Sequence, residues 1–222
     1  MSDRGKNRTE CNGFSDRFKM VADGGDIQIE NAVETLSEGG LVIYPTETVY
    51  GIGADALNPK AVEKVFEAKD RNFSKPVSLA VSSSAEIESY AYLDEDAECF
   101  VEKFLPGPIT VVLGKRDNVP NVLTGGRERV GIRVPDHPAP RKLAQNFGPV
   151  TSTSANISGN PSAETVEELD SIENEAELVI RTEPGEYVSG STVVDAVDWK
   201  VLREGPQETE AEVRRWIENN VE

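Results

Sequence analysis

The sequence predicts an α/β fold: a twisted mixed sheet with flanking helices. Three observations carry this. Short apolar runs recur along the chain, several of them ended by Gly or Pro. Segments with helical spacing of apolar residues lie between some of these runs. Helices and strands do not alternate strictly, which favours a mixed sheet over a purely parallel one.

Residues 1–24 are polar and end in Gly24-Gly25, and are expected to form a flexible tail ahead of a domain over 25–222. Ile29, Val33 and Leu36 predict a helix over 27–38, stopped by Gly39-Gly40. Leu41 to Tyr44 is a buried strand ended by Pro45. PTETVYGIGADALNP then reads as turns. Asn58-Pro59 starts a helix carrying Val62, Val65, Phe66 and Lys69, with Asn58 as its cap. A strand over 77–81 follows. Ser84 and Asp94 are expected to cap short helices, the second ending near Phe104. Strands are expected over 109–113, 130–134 and 150–153, with a loop over 115–128 and a helix over 138–147. A helix near 163–172, strands near 178–181 and 192–195, and a helix near 208–219 complete the reading.

The 222 residues carry 40 Asp and Glu against 23 Lys and Arg, a net charge of −17. The imbalance is uneven. From residue 162 onward there are 17 acidic and 5 basic residues, whereas 13 of the 23 basic residues lie between Lys60 and Lys142. This predicts a locally positive face on an acidic molecule. Nonspecific nucleic-acid binding is disfavoured, and a weak, salt-dependent RNA contact through the local patch is the most such a face would support. Arg (13) exceeds Lys (10), which suits a high-salt cytoplasm or an ordinary acidic protein alike. No apolar stretch approaches the ~20 residues of a bilayer span. No secretory h-region opens the chain. Cys11 and Cys99 form neither a metal motif nor a disulfide framework, so a reducing cytoplasm is expected.

Several groups could carry chemistry. Lys69, Arg71 and Lys75 place three cations within seven residues. Such a set can hold phosphate, Arg through paired hydrogen bonds and Lys as a point charge, or it can be a solvated surface. Lys69 also has a plainer role, as a cation at a helix C-terminus. Ser152 and Ser154 alternate on a strand and so share a face, which Asn156 joins if the strand continues. PTETV puts hydroxyls and a carboxylate at a strand end, where open α/β sheets bind ligands, and Gly51 and Gly53 would allow close approach of backbone. Arg133 lies among apolar neighbours and needs either a carboxylate of the protein or one of a substrate. His137, the single histidine, is read as structural. There is no P-loop, no Ser-His-Asp set and no metal cluster by spacing, so any nucleotide chemistry here rests on positioning and charge neutralisation.

In order along the chain, IYPTETVYGIGADAL (43–57), KDR with KPVSL (69–79), FLPGPIT (104–110), VGIRVPDHP (130–138), STSANISG (152–159), STVVD (191–195) and VLREG (201–205) resemble the threonylcarbamoyl-AMP synthase family and its YrdC-like domain. The resemblance covers roughly residues 27–206. It implies a YrdC-like twisted mixed sheet with an open, concave, positive cavity. It also implies a nucleotidyltransferase that joins L-threonine, bicarbonate or CO2, and ATP into threonylcarbamoyl-AMP and pyrophosphate. Mg2+ would be held through the ATP phosphates rather than by protein ligands, and a partner transferase would carry the product to a tRNA adenosine beside the anticodon.

By motif position, the resemblance makes Lys69 and Arg71 catalytic. It gives Lys69, Arg71, Lys75, Ser154, Asn156, Ser162 and Arg203 to the nucleotide, and Thr46, Arg133, Ser152 and Ser191 to threonine. Asn72 departs from the family, which usually has Pro after the Arg, and is expected to loosen that loop. Longer members append a further domain, and this chain reads as a short form. The loop over 115–128 is expected to close over the site. RNA binding through the same cavity, and a domain of the hydrogenase-maturation type, are the competing readings. The first lacks interleaved aromatics for base stacking. The second lacks acylphosphatase-like or zinc-finger segments.

Overall fold

A computed structural model describes residues 24–181 and 190–221. The tail expected over 1–24 lies outside the described residues up to position 23. Gly24 itself opens the first helix, α1 (Gly24–Ser37). Then follow β1 (Val42–Tyr44), β2 (Gly51–Gly53), α2 (Pro59–Ala68), β3 (Ser78–Ala80), β4 (Ala91–Tyr92), α3 (Glu95–Phe104) and β5 (Ile109–Lys115). The second half holds α4 (Asn121–Thr124), β6 (Arg129–Arg133), α5 (Pro138–Phe147), β7 (Val150–Ser154), β8 (Leu178–Val179), β9 (Thr192–Asp195), β10 (Lys200–Arg203) and α6 (Gln207–Asn220).

Ten strands make one mixed sheet in the order β10-β9-β5-β6-β3-β7-β2-β1-β8, with β4 on β5. β1 with β8, β3 with β6, and β5 with β9 run parallel, and the other pairs are antiparallel. Both faces are covered. On one, Ile29, Ala32 and Leu36 of α1 and Leu143 of α5 pack on Val42, Tyr44 and Ala80. On the other, Ile43 packs with Ala61 and Val65 of α2. Leu79 joins Phe66, Phe100 of α3 and Trp216 of α6. Successive residues of one strand thus enter different cores, as the period of two requires.

The helix starts follow the expected chemistry. Asn58 accepts from Lys60 N at 3.1 Å ahead of Pro59. Asp94 accepts from Ala97 N at 2.9 Å, and three acidic residues follow in the first turn. His137 caps α5 through Nδ1, accepting from Ala139 N, and burial lowers its pKa from 6.5 to about 4. Its structural reading holds.

Several expectations change. Ser84 does not cap; residues Ser84–Ser89 form a 3-10 turn with Ser83 at the cap position and no side-chain bond. The helix expected near 163–172 is two 3-10 turns, Val166–Glu168 and Asp170–Glu175. β2, β4 and β10 are strands where none was expected. The 115–128 segment contains α4, and Val119 and Leu123 are buried in the main core. Leu123 O also accepts from Val77 N at 2.9 Å, so most of the segment is tied down rather than free to close. Gly51, on the cavity wall, and Gly53 leave room for the Tyr44 ring. A Cβ would stand 3.1 Å from the Tyr44 ring at Gly51 and 2.6 Å at Gly53.

No helix of the described residues is long and apolar enough to cross a membrane.

Candidate functional site

A cavity of about 650 Å³ opens along the middle of the sheet. Its wall takes Thr46 from the β1–β2 turn, Arg71 from the loop after α2, and Ser78 from β3. Arg133 comes from the end of β6, Ser152 and Ser154 from β7, Ser191 from the entry to β9, and Arg203 from the end of β10. Ser162 also lies on the wall. Eight of the expected site residues therefore meet in one place. Six cations line it (Arg71, Arg127, Arg129, Arg133, Lys200 and Arg203), against Glu128, Asp195 and Asp198. The expected positive hollow in an acidic molecule is present.

The end of α2 explains how neighbouring cations part company. Arg71 N donates to Phe66 O at 2.8 Å and Asp70 N to Glu67 O at 3.0 Å, the paired bonds of a Schellman stop. Asp70 takes φ +46°, the left-handed conformation that glycine usually supplies. This reversal sends Lys69 inward and Arg71 to the cavity. Asn72 does not loosen the loop. Its Oδ1 accepts from Ser74 N at 2.8 Å, and its carbonyl accepts from Lys75 N at 2.9 Å. Those are the bonds of an Asx turn, which replace the rigidity a proline would lend.

Lys69 is 1% exposed and does not line the cavity. Its Nζ donates to the carbonyl of Ser154, to Asn156 O at 2.7 Å and to Asn156 Oδ1 at 3.1 Å. Burial first, then the Arg71 charge, push its pKa down to about 7. Three acceptors nonetheless use all three protons of an ammonium, and these contacts hold the lysine charged. Lys69 thus pins the turn after β7 from beneath. β7 ends at Ser154, so Asn156 leaves the face shared by Ser152 and Ser154. It accepts from Ser154 Oγ at 2.5 Å and donates to Asn160 O at 2.7 Å. Asn156 faces a smaller hollow beside Ile157, Leu169 and Ile172, which meets the main cavity at Ser162.

Arg71 is held by backbone oxygens alone: Nε to Lys75 O at 3.1 Å and Nη2 to Pro76 O at 2.9 Å. The side chain of Lys75 is exposed and off the wall; its carbonyl is what serves the site. Arg203 is fixed in the same manner, Nε and Nη2 reaching Ser191 O at 3.1 and 2.7 Å and Nη2 reaching Ser191 Oγ at 3.0 Å. Ser191 Oγ also bonds Thr110 Oγ1 at 2.8 Å. Among the described residues neither arginine has a carboxylate partner. Burial lowers both, and Arg203 is lowered further by Arg133 and Arg71. Arg203 therefore feels the charges of Arg133 and Arg71, which an anion between them would offset.

Three of the other four wall cations are neutralised. Arg133, 7% exposed, pairs through Nη2 with Oε1 of Glu47, 4% exposed. Of the two partners open to it from sequence, it has the protein's own carboxylate. Arg129 binds Asp195 and, at 2.9 and 3.1 Å, Asp198, which also takes Lys200 at 3.0 Å. Thr46 Oγ1 is spent on its own turn. It bonds Thr48 Oγ1 at 2.9 Å and Val49 O at 2.7 Å, and accepts from Thr48 N and Val49 N. Arg127, at the rim, makes no ion pair among the described residues. Sequence reasoning noticed the Glu47 carboxylate at a strand end but gave it no role, and passed over Thr110, Arg127 and Arg129 as site residues. The cluster of cations between Lys60 and Lys142 was the available signal for the two arginines.

Among the described residues no three His, Cys, Asp or Glu side chains converge as metal ligands. The carboxylates of Asp195 and Asp198 on the wall are occupied by Arg129.

Residues 34–205 match the Sua5/YciO/YrdC family, described as "Telomere recombination". A protein of Methanocaldococcus jannaschii is 41% identical over 180 residues, spanning 80% of this chain and 85% of that one. The threonylcarbamoyl-AMP synthase of Photobacterium profundum is 34% identical over 182 residues, spanning 80% and 98%. The crystal structure of Pyrococcus abyssi Sua5 complexed with L-threonine superposes with a TM-score of 0.79 at 38% identity, covering 83% of this chain and 56% of that one. Similarity on this scale, over the stretch that builds the cavity, makes the chain a member of the Sua5/YciO/YrdC family.

Proposed function

We propose that this protein is an L-threonylcarbamoyladenylate synthase, a nucleotidyltransferase that makes threonylcarbamoyl-AMP and pyrophosphate from L-threonine, bicarbonate or CO2, and ATP. The observation that carries this reading is the pair Arg71 and Arg203, two guanidinium groups held on one cavity wall by carbonyl and hydroxyl oxygens alone. The synthase reaction must bring a carbamate against a triphosphate, and two anions approach only where positive charge is left over. The names of the relatives and the threonine complex point the same way.

The amino group of threonine and bicarbonate give the carbamate, with loss of water and one proton. A carbamate oxygen then forms a bond to the α-phosphorus of ATP. The bond from that phosphorus to the β-phosphate bridge oxygen breaks, and its electron pair leaves with pyrophosphate. Arg71 and Arg203 neutralise the triphosphate and the charge of the leaving group. Ser154, Ser162 and Asn156 hold the nucleoside side, and Lys69 keeps the Ser154–Asn156 turn in place beneath it. Lys75 contributes its carbonyl to Arg71 and brings charge from outside the wall. Arg133, Ser152 and Ser191 receive threonine, and Thr46 shapes the turn beside them. Mg2+ would enter with ATP, held through the phosphates because the wall carboxylates Asp195 and Asp198 are taken by Arg129, and would supply charge neutralisation there. The setting would be cytoplasmic, with a tRNA threonylcarbamoyl transferase consuming the product.

Pyrophosphate release from ATP tests the reading, with threonine and bicarbonate omitted in turn. Release that requires both is expected. Release without threonine, or none across a range of salt and Mg2+ concentrations, would overturn it.

A further inference from the structure

The β1–β2 turn and the end of β6 meet at one buried ion pair whose geometry is incomplete. Glu47 Oε1 accepts from Arg133 Nη2, while Glu47 Oε2 and Arg133 Nε are buried with no hydrogen-bond partner. The remaining terminal nitrogen, Nη1, makes no hydrogen bond to the described residues, yet it is not among the buried unpaired atoms. Nη1 is therefore the edge of the guanidinium open to the cavity that Arg133 lines. The carboxylate holds one edge and leaves the other to a ligand.

The turn is built to keep Glu47 there. Thr46 Oγ1 ties Thr48 and Val49 back across Glu47, which fixes the backbone that carries the carboxylate. We propose that Glu47 is the positioning residue of the threonine subsite: it fixes the Arg133 guanidinium so that its free edge meets the substrate carboxylate, and thereby sets the preference for a free α-carboxylate. The inference rests on the synthase reading for the identity of that substrate.

Charge supports the assignment. Burial raises the Glu47 pKa and Arg133 lowers it, with Asp136 raising it further; the Tyr44 phenol lies close by. A second carboxylate, that of the substrate, is tolerated beside this neutral pair because Arg71 and Arg203 leave surplus positive charge nearby. The pair supplies direction, and the other two arginines supply the field. Direction separates a planar carboxylate, which accepts at both oxygens, from an amide, which offers the guanidinium edge a single acceptor.

Threonine and ATP affinities measured by calorimetry on the wild type, Glu47→Ala and Glu47→Gln test this apart from turnover. Glu47→Ala is expected to weaken threonine by about tenfold or more, the worth of one charge-assisted hydrogen bond, and to change ATP by less than about twofold. Glu47→Gln, whose amide oxygen can still accept from Nη2, is expected to recover part of the loss. It keeps the test alive should the alanine variant fail to fold. The wild-type preference for threonine over L-threoninamide is expected to shrink in both variants. A loss shared equally by ATP and threonine, an unchanged threonine affinity in a folded variant, or an unchanged preference over the amide would each overturn the proposal. So would a wild type that does not bind threonine. A wild type that binds threonine but releases no pyrophosphate defeats the synthase reading and leaves the role of Glu47 to be decided by the variants.

Discussion

Arg71 and Arg133 stand on the same cavity wall and are tethered in opposite ways. Arg71, like Arg203, is held by neutral oxygens and keeps its full charge. Arg133, like Arg129, is held by a carboxylate and is neutralised. In a molecule of net charge −17 with abundant acid to spare, an arginine left unpaired on a concave wall is the unusual case. The lesson is that the partner of a cation, rather than its presence, separates a group that draws in an anion from one that orients it. Carbonyl tethers fix geometry without spending charge, whereas carboxylate tethers spend charge to gain geometry.

The contrast can be broken most severely at Arg71. Arg71→Ala should cut turnover by roughly 10²–10³-fold, the usual cost of removing a group that stabilises developing charge. The melting temperature should move little, because no buried carboxylate is orphaned. Lys69→Ala should differ. It removes one of two donors from the Ser154 carbonyl and from Asn156 Oδ1, and the one donor that Asn156 O has among the described residues, at about 1–3 kcal/mol for a group left unsatisfied, besides the space left by a buried side chain. Thermal unfolding should therefore fall by about 5 °C or more, together with turnover. Equal melting temperatures for the two variants would show that Lys69 is not the pin described here.

A sharper variant adds charge instead of removing it. Asp198→Asn frees part of Arg129 and Lys200 at the rim. Arg129 holds Asp198 down to about 2, with Lys200 adding to the effect, so the carboxylate is ionised throughout the working pH range. The substitution should tighten ATP by a few-fold at low salt, an effect that fades as salt is raised. Salt-independent tightening would point to rearrangement of the wall.

Two smaller effects test how the site is framed. Asp70→Gly should raise stability by roughly 0.5–1 kcal/mol, since glycine takes the left-handed conformation at φ +46° without strain. Activity should be retained. Loss of stability would mean that the Asp70 side chain has an unrecognised role. His137 tests pH. Its folded pKa lies near 4, below the ordinary 6.5. The stability contributed by the neutral imidazole is complete above about 6.5 and is lost as pH falls toward 4. His137→Asn keeps a cap acceptor and removes the titration, so melting temperature should vary less between those pH values than in the wild type.

How far the sequence announced these features depends on whether the cause was local. The helices over 59–68, 95–104 and 138–147 were legible because their caps are local: Asn58, Asp94 and a proline at the first helical position. β2 was not, because Gly51-Ile52-Gly53 has no apolar alternation and becomes a strand by pairing with β1 and β7. β10 is mostly exposed and charged at its ends, so its pattern resembles a loop. In the site, the shared face of Ser152 and Ser154 followed from the strand period. The pairing of Glu47 with Arg133 spans 86 positions, and the inward turn of Lys69 hangs on one positive φ; neither leaves a pattern along the chain.

The most direct test is crosswise calorimetry. MgATP and threonine are each titrated into the wild type, Arg71→Ala, Arg203→Ala and Arg133→Ala. The unpaired arginines should govern ATP, with Arg71→Ala and Arg203→Ala each weakening it tenfold or more and weakening threonine by clearly less. Arg133→Ala should do the reverse. If all three variants weaken both ligands alike, the division between free and paired cations has no functional meaning.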